Sequence, residues 1–177
     1  MKKVSLIFIL LVGLSRMSYA QTVTIGAQVW MTKNLDVATF RNGDPIPQAK
    51  TNEEWEKAKE NQQPAWCYYD NDPANGAKYG KLYNWYAVND SRGLAPVGYH
   101  IPSDAEWKIL TDFLGGEKVA GTKMKSTDFW ADYEGNSGNG TNESGFSGLP
   151  GGFRSNDGAF YFIGELGAWW SSTENDT

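Results

Sequence analysis

The 177-residue chain has one cysteine, one histidine and fewer basic than acidic residues, and each shortage narrows what it does. Cys67 has no second thiol to pair with inside the chain, and any Ser/His/Asp triad must recruit His100. With 16 basic residues against 21 acidic ones, the net charge is −5. An acidic surface repels phosphate backbones and anionic lipid, which argues against nucleic-acid binding and electrostatic membrane attachment. Long apolar runs are also missing. The longest apolar stretch, Val4–Leu14, includes Ser5 and Gly13, and a spanning helix needs roughly 20 apolar residues.

That short run has a meaning of its own. Met1-Lys2-Lys3 precedes it and Ser18-Tyr19-Ala20 follows it, the pattern of a secretory signal peptide. Cleavage is expected after Ala20, with Gln21 first in the mature chain, and no cysteine follows the run to carry a lipid. The exported protein, secreted or at the cell surface beyond a bacterial inner membrane, then has 157 residues, enough for one domain. It keeps 13 basic against 21 acidic residues, a net charge of −8. In an oxidising compartment the lone Cys67 is a thiol without its partner, half of an intermolecular bond, or a buried small hydrophobe.

What is abundant is glycine and tryptophan, 20 and 8 residues, which with many turn residues predicts an irregular α+β domain. Thr22 to Met31 reads as a hairpin about Gly26-Ala27, and Asn42-Gly43 as a turn. Thr51 and Glu54 form a capping box for a helix to about Asn61. Ser103 and Glu106 form another, with Trp107, Leu110 and Leu114 on one face and Gly115-Gly116 as the stop. Leu82 to Val88 is apolar at nearly every position, so periodicity does not separate helix from strand. Asp132 to Gly152 is a long Gly/Asn/Ser loop whose two Asn-x-Ser/Thr triplets read as turn composition. Phe153 to Ile163 is predicted to be a hairpin about Asn156-Asp157-Gly158.

Several of these segments carry a resemblance. IGAQVWMTKNL at 25–35, YGKLYNWYAV at 79–88, GLAPVGYHIPSDAEW at 93–107, AGTKMKS at 120–126, NGTNESGFSGLPGGFR at 139–154 and GAWWSSTE at 167–174 together resemble the Fibrobacter succinogenes major paralogous domain family. GYHIPSDAEW is also distantly similar to a signature of the formylglycine-generating enzymes, a variant of the C-type lectin fold. The resemblance implies a C-type lectin-like α+β domain at 21–177 with two to three helices, short twisted antiparallel strands and long loops. It makes Leu82 to Asn89 a helix. It also implies further strands and a second cysteine beyond Thr177, so the chain is expected to be truncated at its C-terminus.

Candidate site residues follow from both readings. Formylglycine-type oxygen chemistry needs copper held by more thiols than Cys67 supplies, so no catalytic residue is expected and the module is taken to be non-catalytic. His100 stands at the helix start as a structural hydrogen-bonder, while Ser103 and Glu106 are explained by capping and Trp107 by anchoring. Trp130, Phe153, Trp169 and Trp170 form a candidate ligand platform, since aromatic faces stack on sugar rings, with Arg154 and the 134–147 loop as its polar neighbours. Asp70, Asn71, Asp72 and Asn75 offer closely spaced oxygens of the kind calcium takes, and Asx-turn chemistry explains the same residues. No other cofactor is implied. The expected role is adhesion to, or recognition of, a surface glycan or protein. The competing reading is a structural surface domain without a small ligand.

Overall fold

The computed structural model describes residues 21–174; the signal segment and the Ala20 side of its junction lie outside the described residues. The architecture is α+β, with five helices and three separate two-stranded antiparallel ribbons. The first ribbon joins β1 (Thr22–Ile25) to β2 (Gln28–Met31) with Val23 opposite Trp30 and Ile25 opposite Gln28. Its turn requires glycine twice over. Gly26 has φ +61°, and a Cβ there would sit 3.0 Å from the Phe113 ring. The alternation of a strand puts Val23, Ile25, Gln28 and Trp30 on one face, where Ile25 and Trp30 are buried.

Helix α1 (Asn52–Glu60) begins at a complete Thr51/Glu54 capping box and buries Trp55. β3 (Trp66–Cys67) pairs with β4 (Leu82–Tyr83), and between them a 3-10 turn at Tyr69–Asn71 leads into α2 (Pro73–Tyr79). A short α3 (Trp85–Val88) follows. α4 (Asp104–Phe113) and α5 (Glu117–Met124) form a helical pair. β5 (Gly151–Arg154) and β6 (Phe160–Ile163) close the third ribbon.

Two expectations are corrected. The helices number five among the described residues, not two to three. The extra ones carried ordinary start signals: Asp72 caps α2 with Pro73 at its first position, and α5 starts at Gly116-Glu117 and buries Ala120 and Met124 one turn apart. The segment from Leu82 is not one helix either. Asn84 splits it, because its buried Oδ1 accepts from both the Ala65 and the Ala87 amides at 2.9 and 3.0 Å. Its Nδ2 donates to the Gln63 carbonyl at 2.8 Å. One side chain thus ends β4, caps α3 and ties both to the loop before β3.

The core forms three clusters rather than one layer. Ile25, Trp30, Leu110, Leu114, Ala120, Met124 and Phe146 pack the first ribbon against α4 and α5. Phe40, Ile46, Trp66, Tyr83, Ala87, Val88 and Leu94 form the second. Ala49, Trp55, Ala65 and Cys67 form the third. The space between the clusters is where the candidate site lies.

Candidate functional site

A cleft of about 780 Å³ opens among the three ribbons, lined by residues 28–35 from β2 onward, by β4, by Leu94–Pro102, and by β5 with Trp169 and Trp170. Aromatic rings make up much of its wall. Trp30 and Trp107 lie 4.8 Å apart between ring centroids, Phe146 packs edge-on against Trp30, and Trp169 meets Phe146 edge-on at 5.5 Å. Such offset and edge-on geometries are the favoured ones for π-systems.

The indole N–H groups show how the wall is held. Trp169 Nε1 donates to Asn34 Oδ1 at 3.0 Å, and Asn34 Nδ2 in turn donates to the Tyr79 carbonyl. Trp170 Nε1 donates to the Tyr83 carbonyl at 2.8 Å, and Trp107 Nε1 to the Trp170 carbonyl at 3.2 Å. Trp30 differs. It is 8% exposed, and its Nε1 has no hydrogen-bond partner among the described residues. Gln28, two residues earlier on the same strand face, spends its Nε2 on the Glu106 carbonyl while its buried Oε1 has no partner. Buried polar groups are nearly always paired, so an orphan donor and an orphan acceptor side by side mark this wall.

At the rim, Ser103 and Glu106 form the complete capping box of α4, with Glu106 Oε2 accepting from the Ser103 amide at 2.8 Å. The other oxygen, Oε1, meets His100 Nε2 at 2.7 Å. These bonds hold the Glu106 carboxyl below its ordinary pKa, the Ser103 amide contributing most. Trp107 is half-buried against the first core cluster and also faces the cleft.

The structure divides the expected ligand platform. Trp169 and Trp170 line the cleft and are 37% and 45% exposed. Trp130 lies outside it. Its ring is buried under Lys125, whose Nζ stands 4.1 Å from the ring centroid, and its Nε1 donates to Ser126 Oγ and the Gly148 carbonyl. The backbone at Gly148 separates the two groups, since a Cβ there would touch the Trp169 ring at 3.0 Å. Arg154 contributes to the cleft wall, yet its guanidinium is committed. It donates to the carbonyls of Gly158, Ala49 and Thr51 and to Asn52 Oδ1, and lies over Trp55 and Phe160. Phe153 stacks with Tyr161 and Phe162 at 5.7 and 6.0 Å on the third ribbon.

The oxygen-rich segment is a helix-entry turn. Asp70 and Asn71 have φ +53° and +55°, a conformation that Asp and Asn tolerate best after glycine. Asp72 accepts from the Ala74 amide at 2.8 Å as the α2 cap, and Asn75 Nδ2 donates to the Tyr69 carbonyl. Among the described residues no three His, Cys, Asp or Glu side chains gather as a metal-ligand set. Cys67 is fully buried with a free thiol, and burial pushes its pKa up to about 11, against the lowering effect of Arg154 nearby.

Trp30, Gln28 and Asn34 were not singled out from sequence. The first two were legible as alternate residues of one strand. Asn34 carried no local signal, because its partners are 45 and 135 residues away.

The profile of the family described as Fibrobacter succinogenes major domain matches residues 23–177, and the chain belongs to that family. Searches of curated proteins and of solved structures returned no match.

Proposed function

We propose that this member of the Fibrobacter succinogenes major domain family is an exported, surface-displayed, non-catalytic recognition module, built on a C-type lectin-like variant of the α+β fold, that takes a glycan or a protein in its aromatic cleft. The observation that carries this reading is the cleft wall itself. A concavity of about 780 Å³ is of ligand-binding size, and aromatic ring faces make up much of its wall. Ring faces supply contact area at low entropic cost.

Other features fit the same reading. His100 is exposed and bound to one oxygen of the helix-capping Glu106, whose other oxygen accepts from the Ser103 amide and hydroxyl, a capping arrangement. Cys67, with its raised pKa, remains a protonated thiol at neutral pH. The N-terminal signal pattern and the acidic mature charge suit a domain working outside the cell.

Glycan arrays and panels of immobilised surface proteins, probed with the wild-type chain and with Trp169→Ala and Trp170→Ala, test the proposal. Binding by wild type that falls at least tenfold in either variant, with thermal stability retained, is the expected result. A wild-type chain that binds nothing on either panel would leave a structural surface domain as the better account.

A further inference from the structure

The first ribbon has no spare residues ahead of it in the mature chain. Cleavage after Ala20 makes Gln21 the N-terminus, and β1 begins at the next residue, Thr22, which pairs with Met31. The Gln21 carbonyl accepts from the Thr32 amide at 2.9 Å and from Thr32 Oγ1 at 3.2 Å, so the hairpin already holds this residue. Its side chain is free by contrast. Gln21 is exposed, and among the described residues it enters hydrogen bonds only through its carbonyl.

A glutamine at a chain terminus carries a nucleophile and an electrophile on one residue. Its α-amine reaches its own side-chain amide carbon through a five-membered ring, a geometry with a high effective concentration. An α-amine titrates near pH 8, well below a lysine, so a reactive fraction is present at neutral pH. We propose that Gln21 is a modification site, at which the exported chain closes to an N-terminal pyroglutamate. The inference rests on residues 1–20 being a signal cleaved after Ala20, and it is independent of what the cleft binds. The Gln21 nitrogen bonds to Cδ, the Cδ–Nε2 bond breaks, and ammonia leaves, taking up the proton that the α-ammonium gives away. No oxidant or cofactor takes part. The lactam nitrogen keeps one hydrogen and the carbonyl held by Thr32 is untouched, so ring closure leaves the hairpin as it stands. It removes the terminal positive charge.

The register of the ribbon shows what the closed terminus protects. Chain ends are where proteolysis concentrates, and an aminopeptidase needs a free α-amine to engage. Loss of Gln21 would remove both Thr32 contacts, and loss of Thr22 its pairing with Met31. The next residue, Val23, stands opposite Trp30 and packs against the core cluster that contains Ile25. Trimming therefore reaches the core within three residues, and a lactam stops it at the first.

The test expresses the full chain, residues 1–20 included, in an exporting bacterial host. The exported product is measured by intact mass and by N-terminal peptide mass spectrometry, at once and after incubation at neutral pH. The expected product is lighter by about 17 Da than residues 21–177, the mass of the ammonia lost, and resists sequential N-terminal degradation until a pyroglutamyl peptidase is added. Gln21→Ala should give a readable free N-terminus with an unchanged melting temperature. An aminopeptidase should then shorten that variant at least about tenfold faster than wild type. Equal trimming of the two chains would overturn the protective role. A product that begins at Gln21 and keeps its amine through the incubation would overturn the modification and leave export standing. A product that keeps residues 1–20, or is cut elsewhere, would overturn the cleavage reading together with the modification.

Discussion

Arg154 and Trp130 show how a residue's chemistry depends on where its atoms finish. Both are polar-tipped aromatic or cationic groups of the kind that ligand sites use, and both are consumed internally. Arg154 is 7% exposed and donates to three carbonyls and one amide oxygen, so Arg154→Lys, which lacks the planar fork, is expected to destabilise the protein by about 2–3 kcal/mol in urea unfolding. Trp130→Ala should cost about 3–5 kcal/mol through the cavity it leaves, and Trp169→Ala clearly less because that ring is 37% exposed. Cys67 makes a pH prediction. Its folded pKa of about 11 lies above the ordinary 9.0, so its contribution to stability is fully present below pH 9 and is lost as pH rises through 11. Denaturant midpoints measured from pH 8 to 11 should fall for wild type and fall less for Cys67→Ala. The native thiol should resist a thiol-specific reagent at pH 8.

Among the elements, the helix starts were the most legible, because a capping box is a local device. Ser103 and Glu106 need only each other's backbone, and so do Thr51 and Glu54. Ser103→Ala is expected to cost about 1 kcal/mol by thermal unfolding. The Leu82–Val88 segment was illegible for the opposite reason. Its break depends on Asn84 reaching Ala65 and Gln63, partners that sequence spacing does not reveal. Asn84→Ala leaves several buried groups unpaired and should cost about 3 kcal/mol. The Asp70–Asn75 turn gives a sharp contrast between two chemistries of the same atoms. Asp72 already serves as the α2 cap, so added calcium is expected to leave the melting temperature unchanged. A rise that disappears in Asp70→Ala would restore the cation to this turn. Gly152 belongs here too. With φ +63° and the Tyr161 carbonyl against the place of a Cβ, Gly152→Ala should unfold the third ribbon at lower denaturant, by about 2 kcal/mol or more.

Across the whole molecule, three ribbons and three core clusters surround a cleft instead of merging into one sheet and one core. Native interiors are close-packed, so an aromatic-walled space of about 780 Å³ is a surface at which the fold stops burying itself. An environment-sensitive dye such as anilinonaphthalene sulfonate should fluoresce with the native protein at neutral pH, and Trp169→Ala should change that signal without changing the far-UV spectrum. The amino-acid sequence alone determined the α+β class, the two hairpins at 22–31 and 153–163, the Asn42-Gly43 turn, both capping boxes and the family, because each is written in neighbouring residues or in motif order. Only the tertiary structure decided which tryptophans face the cleft. Trp130, Trp169 and Trp170 are alike in type, but burial depends on what the chain brings from elsewhere: the Gly148 backbone between the first two, and Asn34 and Tyr83 at the indole nitrogens of the last two. The unpaired Trp30 and Gln28 atoms belong to the same category, since the lack of a partner is a property of the assembled space and not of the residue.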